Sequence, residues 1–396
     1  MALDAQLAAE LDAMDEAGTR KSIPVLTSPQ GPVVEIEGRG EVICLCSNDY
    51  LGLAADPIVL AAAIDGLLRY GAGTGSVRFI CGKFEPHVEL ERDLAEFLHT
   101  PASLTYTSCW NANAALLDTL CDVPAAIFSD RLNHASIIDG MRLARPAHKA
   151  VFEHSDVDDL RRVLGEAPAT ERRLIVTDGV FSMEGDLARM SELAEVAAEH
   201  DATLIVDDSH GIGAVGETAR GVMERFDLLG REEIVLTGTL GKALGGAAGG
   251  FVAGSRVLCD VLEQRSRAQL FSNDLPPSVA CGTRAALGVL REDPARVAKL
   301  HRNVAHIRAA IKATGLKPLD GESAIVPIIV GATPDAIRAS QMLMERGVYA
   351  TGFGYPVVPE GTARVRVQVS AALEPEQLDS AAAAIGAVGR ELGLTA

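Results

Sequence analysis

Aromatic side chains are what this chain has least of: one Trp, five Tyr and ten Phe among 396 residues. With 48% of residues hydrophobic and only 4% aromatic, the interior must be filled by Ala, Val, Leu and Gly, the packing palette of an α/β protein. Positive charge is in deficit as well. Lys and Arg number 36 against 54 Asp and Glu, a formal net charge of −18. So acidic a surface repels nucleic acid and anionic membrane, which argues against both as partners. Any anionic ligand then has to be held by local Arg, Lys and backbone N–H groups. No uncharged apolar run reaches the roughly 18 residues of a membrane span. Met1-Ala2-Leu3-Asp4 begins neither a basic nor an apolar leader region. The seven cysteines follow no zinc-like spacing and fit a reducing compartment. Cys44 and Cys46 belong to the apolar run Val42-Ile43-Cys44-Leu45-Cys46, which reads as core strand. The expectation is a soluble cytoplasmic protein without internal repeats or low-complexity linkers.

What is present is an alternation of short apolar runs and helical patterns. Residues 2–17 place acidic and apolar positions at helical spacing, an amphipathic helix expected to pack on something else. Thr19-Arg20-Lys21 follows as a small basic island. A strand over Glu41–Cys46 leads into the turn Ser47–Leu53. Pro57 opens a helix to Tyr70, glycines 71, 73 and 75 end it, and Pro86–Leu98 is a second helix. Strand candidates then recur at Ser103–Thr107, Ala125–Ser129, Lys149–Phe152, Leu174–Thr177, Thr203–Val206, Ile234–Leu236 and Gly250–Ala253. Helical stretches separate most of them, which predicts a mainly parallel sheet covered on both faces. The ligand site of such a sheet lies beyond the carboxyl ends of its strands. After Pro276-Pro277 come long helices at 278–291 and 295–314, then strands near 324–330 and 364–369 and a closing helix from Glu374. The expected division is an N-terminal segment 1–55, a large domain 56–290 and a small C-terminal domain 291–396.

Reactive side chains gather at predicted strand ends. Thr237-Gly238-Thr239-Leu240-Gly241-Lys242 puts one lysine inside a turn of small residues. Burial there disfavours the ammonium form, and a neutral amine attacks an aldehyde; the plainer alternative is a lysine capping a loop. Val206-Asp207-Asp208-Ser209-His210 reads as metal ligands, as a surface turn, or as a carboxylate paired with a protonated pyridine nitrogen, which makes that ring an electron sink. His134, in Asn133-His134-Ala135-Ser136, either starts a helix or stacks on a flat ligand. Two decoys fail. Gly211-Ile212-Gly213-Ala214-Val215-Gly216 matches a dinucleotide fingerprint, but Asp207 and Asp208 precede it and would repel a pyrophosphate. Gly241-Lys242 lacks the first glycine of a P-loop, where Leu236 stands, and the hydroxyl, where Ala243 stands.

In order, Asn133-His134-Ala135-Ser136, Asp178-Gly179-Val180-Phe181-Ser182-Met183, Val206-Asp207-Asp208-Ser209-His210-Gly211 and Thr237-Gly238-Thr239-Leu240-Gly241-Lys242 resemble the α-oxoamine synthases. These are pyridoxal-phosphate enzymes of the aspartate-aminotransferase fold type that condense an amino acid with an acyl-CoA. The resemblance runs from near residue 40 to the end of the chain. It implies that Lys242 carries pyridoxal 5′-phosphate on its amine and later moves the α-proton of the amino acid. Asp207 would pair with the ring nitrogen, His210 and Ser182 would meet the ring oxygen, and His134 would stack on the ring. The phosphate would meet the N–H groups of Cys109 and Trp110 at a helix start and the hydroxyl of Thr239. Ser272 and Asn273 would reach in from the second subunit of a homodimer. Asn48 and Arg366 would hold the substrate carboxylate, the arginine because its fork binds both oxygens. No metal is implied.

Gly75–Gly82, Gln264–Arg267 with Leu270–Asn273, and Tyr355–Pro359 are most similar to the glycine-acetylating members. They imply condensation of glycine with acetyl-CoA to 2-amino-3-oxobutanoate. The chain departs from the family at Lys83-Phe84, at Leu373-Glu374, at Trp110 and at Gly354, where a bulkier residue is common. Gly354 raises the expectation of extra room for a longer acyl chain, weighed against neutral drift.

Overall fold

Seven short apolar segments make one sheet, in the spatial order Ala102–Tyr106, Gly250–Gly254, Ile234–Thr239, Thr203–Asp207, Arg172–Asp178, Ala125–Asp130 and His148–Phe152. This is a computed structural model, and it describes residues 3–395. The five strands from 125 to 239 run parallel. Gly250–Gly254 is antiparallel to both its neighbours, because the ten residues after Thr239 turn the chain straight back instead of crossing over. Every residue of Ala125–Asp130 and of Gly250–Gly254 is buried, whereas the edge strand His148–Phe152 alternates. Doubly covered central strands therefore read as unbroken apolar runs. The mainly parallel α/β architecture is as expected, with each of the seven predicted strands present within three residues of its predicted limits.

The chain divides into two compact units. One comprises Leu51–Ser182 and Asp186–Ala298 and holds the seven-stranded sheet; the other comprises Met1–Tyr50, Met183–Gly185 and Lys299–Ala396. In the first, Asp56 caps the helix Pro57–Tyr70 by accepting from Ile58 N, and Gly71, at φ 81°, ends it. In the second, two three-stranded sheets combine Val33–Ile36, Gly40–Cys44 and Val348–Tyr349, and Ile325–Gly331, Ala363–Gln368 and Thr351–Phe353. Glu374 starts the closing helix Pro375–Glu391 in a capping box with Gln377, and Leu373 is fully buried beneath it. The residues that depart from the family pattern here are thus a core side chain and a helix cap.

The helix expected over residues 2–17 runs Leu3–Glu16 and buries none of its residues; residue 2 lies outside the described residues. Among the described residues no helix is long and apolar enough to cross a membrane.

Candidate active site

The carboxyl ends of the parallel strands open into a cavity of about 220 Å³, lined among others by Cys109, Trp110, His134, Asp178, Asp207, His210, Thr239 and Lys242. Strand geometry accounts for the gathering. Asp178, Asp207 and Thr239 are the last residues of three strands that lie side by side, and Lys242 follows three residues after the third. The helix Cys109–Leu120 begins at the same cavity, its first turn capped by Ser108 Oγ accepting from Asn111 N at 3.1 Å. Its leading N–H groups carry the partial positive charge of a helix N-terminus. A Cβ at Gly250 would collide with the backbone of Cys109, so only glycine lets the neighbouring strand come this close to the helix start.

Asp207 is buried and firmly oriented. Oδ2 accepts from Asn113 Nδ2 at 2.6 Å and from the Cys109 thiol at 3.6 Å; Oδ1 accepts from Ser209 N at 3.0 Å. The adjacent carboxyl points elsewhere. Asp208 Oδ2 accepts from Val222 N at 2.9 Å, and burial pushes its pKa well above the usual carboxylate range. Asp178 is raised in the same direction by burial and then by the charge of Asp207. Desolvation thus drives both neighbours of Asp207 towards the neutral acid.

His134 precedes the helix Ala135–Ala144, and its Nδ1 accepts from Ser136 N at 3.2 Å. A backbone N–H can only donate, so the ring proton belongs on Nε2. Burial holds the imidazole below its ordinary pKa, with the Lys242 charge acting in the same sense and Asp207 opposing. Trp110 meets this ring edge-on, centroids 6.0 Å apart. Asn133 anchors the segment by donating to Ser129 Oγ and Val176 O, both at 2.8 Å, and by accepting from Asp178 N at 2.8 Å.

Of the candidate residues, Cys109, Trp110, His134, Asp207, His210, Thr239 and Lys242 line the one cavity; Ser182, Ser272 and Asn273 are not among its lining residues. Ser272 and Asn273 follow the short helix Arg267–Phe271, where Asn273 is exposed. In the other unit, Asn48 Oδ1 accepts from Gln368 Nε2 at 2.7 Å, and the Gln368 amide oxygen accepts from the buried Tyr50 hydroxyl at 2.8 Å. Arg366 lies two residues before Gln368 on the strand Ala363–Gln368, hence on the same face. Its guanidinium sits 4.6 Å over the Phe353 ring. Sequence reasoning missed Asn113 and gave no role to Asp178 and Ser136, which stand in its motifs without any local spacing that marks their polar contacts.

Two expectations are settled by close packing. Gly354 opens no room: a Cβ there would run into Thr333, so the space a bulkier residue would take is already filled. The glycines of the rejected dinucleotide pattern have their own neighbours. A Cβ at Gly211 would strike Asp208, at Gly213 Ala243, and at Gly216 Glu224. They make way for side chains rather than for a pyrophosphate.

A helix N-terminus for an anion, a buried carboxylate, an imidazole and a lysine lining one cavity make up a donor set that fits pyridoxal phosphate. The chain belongs to the aminotransferase class I and II family, whose model matches residues 40–385, and within it to the α-oxoamine synthases. Over its full length it is 43% identical to 8-amino-7-oxononanoate synthase of Symbiobacterium thermophilum, all of which is covered. It is 42% identical, over 99% of its length and 98% of the relative, to 2-amino-3-ketobutyrate coenzyme A ligase of Escherichia coli K12. The solved serine palmitoyltransferase from S. paucimobilis, with bound PLP and myriocin, superposes with a TM-score of 0.92 at 30% identity, covering 98% of each chain. The cofactor is pyridoxal 5′-phosphate, and the chain is a pyridoxal-phosphate transferase of fold type I.

Proposed function

We propose that this chain is a glycine C-acetyltransferase, joining glycine to the acetyl group of acetyl-CoA to give 2-amino-3-oxobutanoate and free CoA. The observation that carries the reading is the convergence of Lys242, His210, Asp207 and His134 on one cavity. The 42% identical 2-amino-3-ketobutyrate CoA ligase supports the choice of substrates.

In this reading the N–H groups of Cys109 and Trp110 and the Thr239 hydroxyl hold the cofactor phosphate. Asp207 faces the ring nitrogen, His134 covers one ring face, and His210 and Ser182 meet the ring oxygen. When bound, the cofactor supplies an electron sink beside the α-carbon of the amino acid. The Lys242 amine holds the cofactor and moves the proton at that carbon. His210 donates to the thioester oxygen as charge gathers there, worth roughly 10²–10⁴-fold if it acts as a general acid. Asn48 and Arg366 take the amino acid's carboxylate. A homodimer completes the phosphate site through Ser272 and Asn273 of the partner subunit.

A sibling activity, with a longer acyl thioester or another amino acid, is the second reading, favoured by the 43% identical 8-amino-7-oxononanoate synthase. Thiol release from a ladder of acyl-CoA lengths, offered with glycine, alanine or serine, separates the two. Release confined to glycine and acetyl-CoA is expected; faster release with long chains would overturn the first reading in favour of the second. Borohydride reduction of the holoenzyme should place the label on Lys242, and a label on another lysine would remove the basis of both.

A further inference from the structure

A line of hydrogen bonds in the cavity wall joins two side chains to which the proposed function gives different parts of the cofactor. Asn113, on the helix Cys109–Leu120, is only 2% exposed, and Ser136, in the first turn of Ala135–Ala144, only 1%. The Asn113 amide uses both hydrogens: one goes to Asp207 Oδ2 at 2.6 Å, the other to Ser136 Oγ at 2.9 Å. Ser136 Oγ, accepting there, has its own hydrogen left for His134 Nδ1 at 2.7 Å. The directions agree throughout. Nδ1 must be an acceptor because Ser136 N also donates to it, and Asp207 receives only donors.

We propose that Asn113 and Ser136 are positioning residues that make the Asp207 carboxylate and the His134 ring one mechanical unit. The carboxylate below the ring nitrogen and the imidazole over the ring face are then set together. Asn113 chooses which carboxylate oxygen stays turned to the cavity, and Ser136 fixes the tautomer and tilt of the stacking ring. Asn113 is not among the residues lining the cavity; Ser136 is, and in this scheme it acts through His134. The inference rests on the reading that Asp207 and His134 hold the cofactor. Such outer hydrogen bonds to a ligating group are typically worth about 10–100-fold in affinity or activity.

The test uses binding and spectroscopy as well as turnover. Trp110 is the single tryptophan and lines the cavity, so quenching of its fluorescence by pyridoxal phosphate reports affinity directly. Asn113→Ala should weaken cofactor binding by about tenfold or more and move the pH midpoint of the visible cofactor band. Ser136→Ala should move both in the same direction, and Ser136→Thr, which keeps the hydroxyl, should restore them. In the double variant the loss should fall short of the product of the single losses, the signature of one connected unit. Unchanged affinity and midpoint in Asn113→Ala, or losses that simply multiply, overturn the proposal. If Asn113→Ala does not fold, the Ser136 pair decides: alanine and threonine behaving alike overturns it. Failure of the parent chain to develop a visible band would instead sink the cofactor assignment itself.

Discussion

Asp208 shows how far a single side chain constrains its surroundings. Its carboxyl is completely buried, and Gly179, Gly211 and Gly221 each stand where a Cβ would press on it, at 2.6 Å in the case of Gly179. Glycines in the Asp-Gly-Val-Phe and Ser-His-Gly motifs are therefore there for a neighbour's volume. Gly211→Ala should destabilise the protein by about 1–3 kcal/mol or more, the range for overpacking a buried site. Gly165 makes the contrast: it is exposed, near the end of the helix Val157–Glu166, with nothing within 4 Å of its would-be Cβ. Gly165→Ala should be stabilising by about 0.5–1 kcal/mol. Urea denaturation of both variants checks the opposite signs. Two destabilising outcomes of similar size would mean that loss of glycine itself, not contact with Asp208, is what matters. None of this is readable in the motif, because a glycine looks the same whether it serves a turn, a ligand or a neighbour.

Elements at the edge of the site are tied down by charge. His154 follows the edge strand His148–Phe152 and joins the end of one strand to a turn: Nδ1 meets Asp130 Oδ1 at 3.1 Å and Nε2 meets Asp186 Oδ2 at 3.0 Å. The ring stands edge-on to Phe181 at 4.3 Å. Burial alone would lower its pKa, but hydrogen bonds to the two carboxylates prevail and raise it to about 10. A raised histidine stabilises the fold fully below its unfolded pKa, near 6.5, and that contribution is lost as pH climbs through the folded value. Denaturation of the parent chain should thus show stability declining from about pH 6.5 to 10, a slope that His154→Gln lacks. Parallel profiles for the two proteins would count against the carboxylate clamp. A second knot surrounds Arg78, which donates to Glu91 at 2.6 Å, to Asp274 at 3.0 Å and to Thr105 Oγ1 at 2.7 Å, all in or near the interior. It immobilises the residue next to Ser272 and Asn273. The motif around Gly75–Gly82 was legible as a family signature, but its partners lie 13, 196 and 27 residues away, and no local pattern pairs them.

At the scale of the whole molecule, several large apolar side chains of one unit stand exposed. The helix Pro57–Tyr70 turns its small side inward, where a Cβ at Gly66 would crowd Cys281 Sγ at 2.8 Å, and leaves Ile64, Leu67 and Leu68 exposed. Phe79, Ile80 and Phe271 are exposed in the same unit, side chains that a protein contact would cover. A homodimer is the occupant our functional proposal requires. Light scattering should report twice the chain mass, and Leu68→Glu, at a position 81% exposed, should shift it towards one. That variant should also bind pyridoxal phosphate more weakly, since Ser272 and Asn273 would no longer complete the neighbouring site. A monomeric parent with full cofactor affinity would rule out the shared site.

By itself the sequence determined the seven strands, the order of the reactive turns and the pyridoxal-phosphate family, because period, capping and motif are local properties that survive without coordinates. It also marked Asp207, His210 and Lys242, which sit on or just past strand ends. Tertiary structure alone decided the rest. Val348–Tyr349 is a strand of two residues that exists only through its pairing with Ile43 and Cys44. Ser136 and Asp207 lie 23 and 94 residues from Asn113 along the chain, and the three meet only once a helix start has docked at the carboxyl end of the central strand. Hydrogen bonds between distant side chains depend on ångström-scale placement of whole elements, and a linear pattern holds no record of that placement.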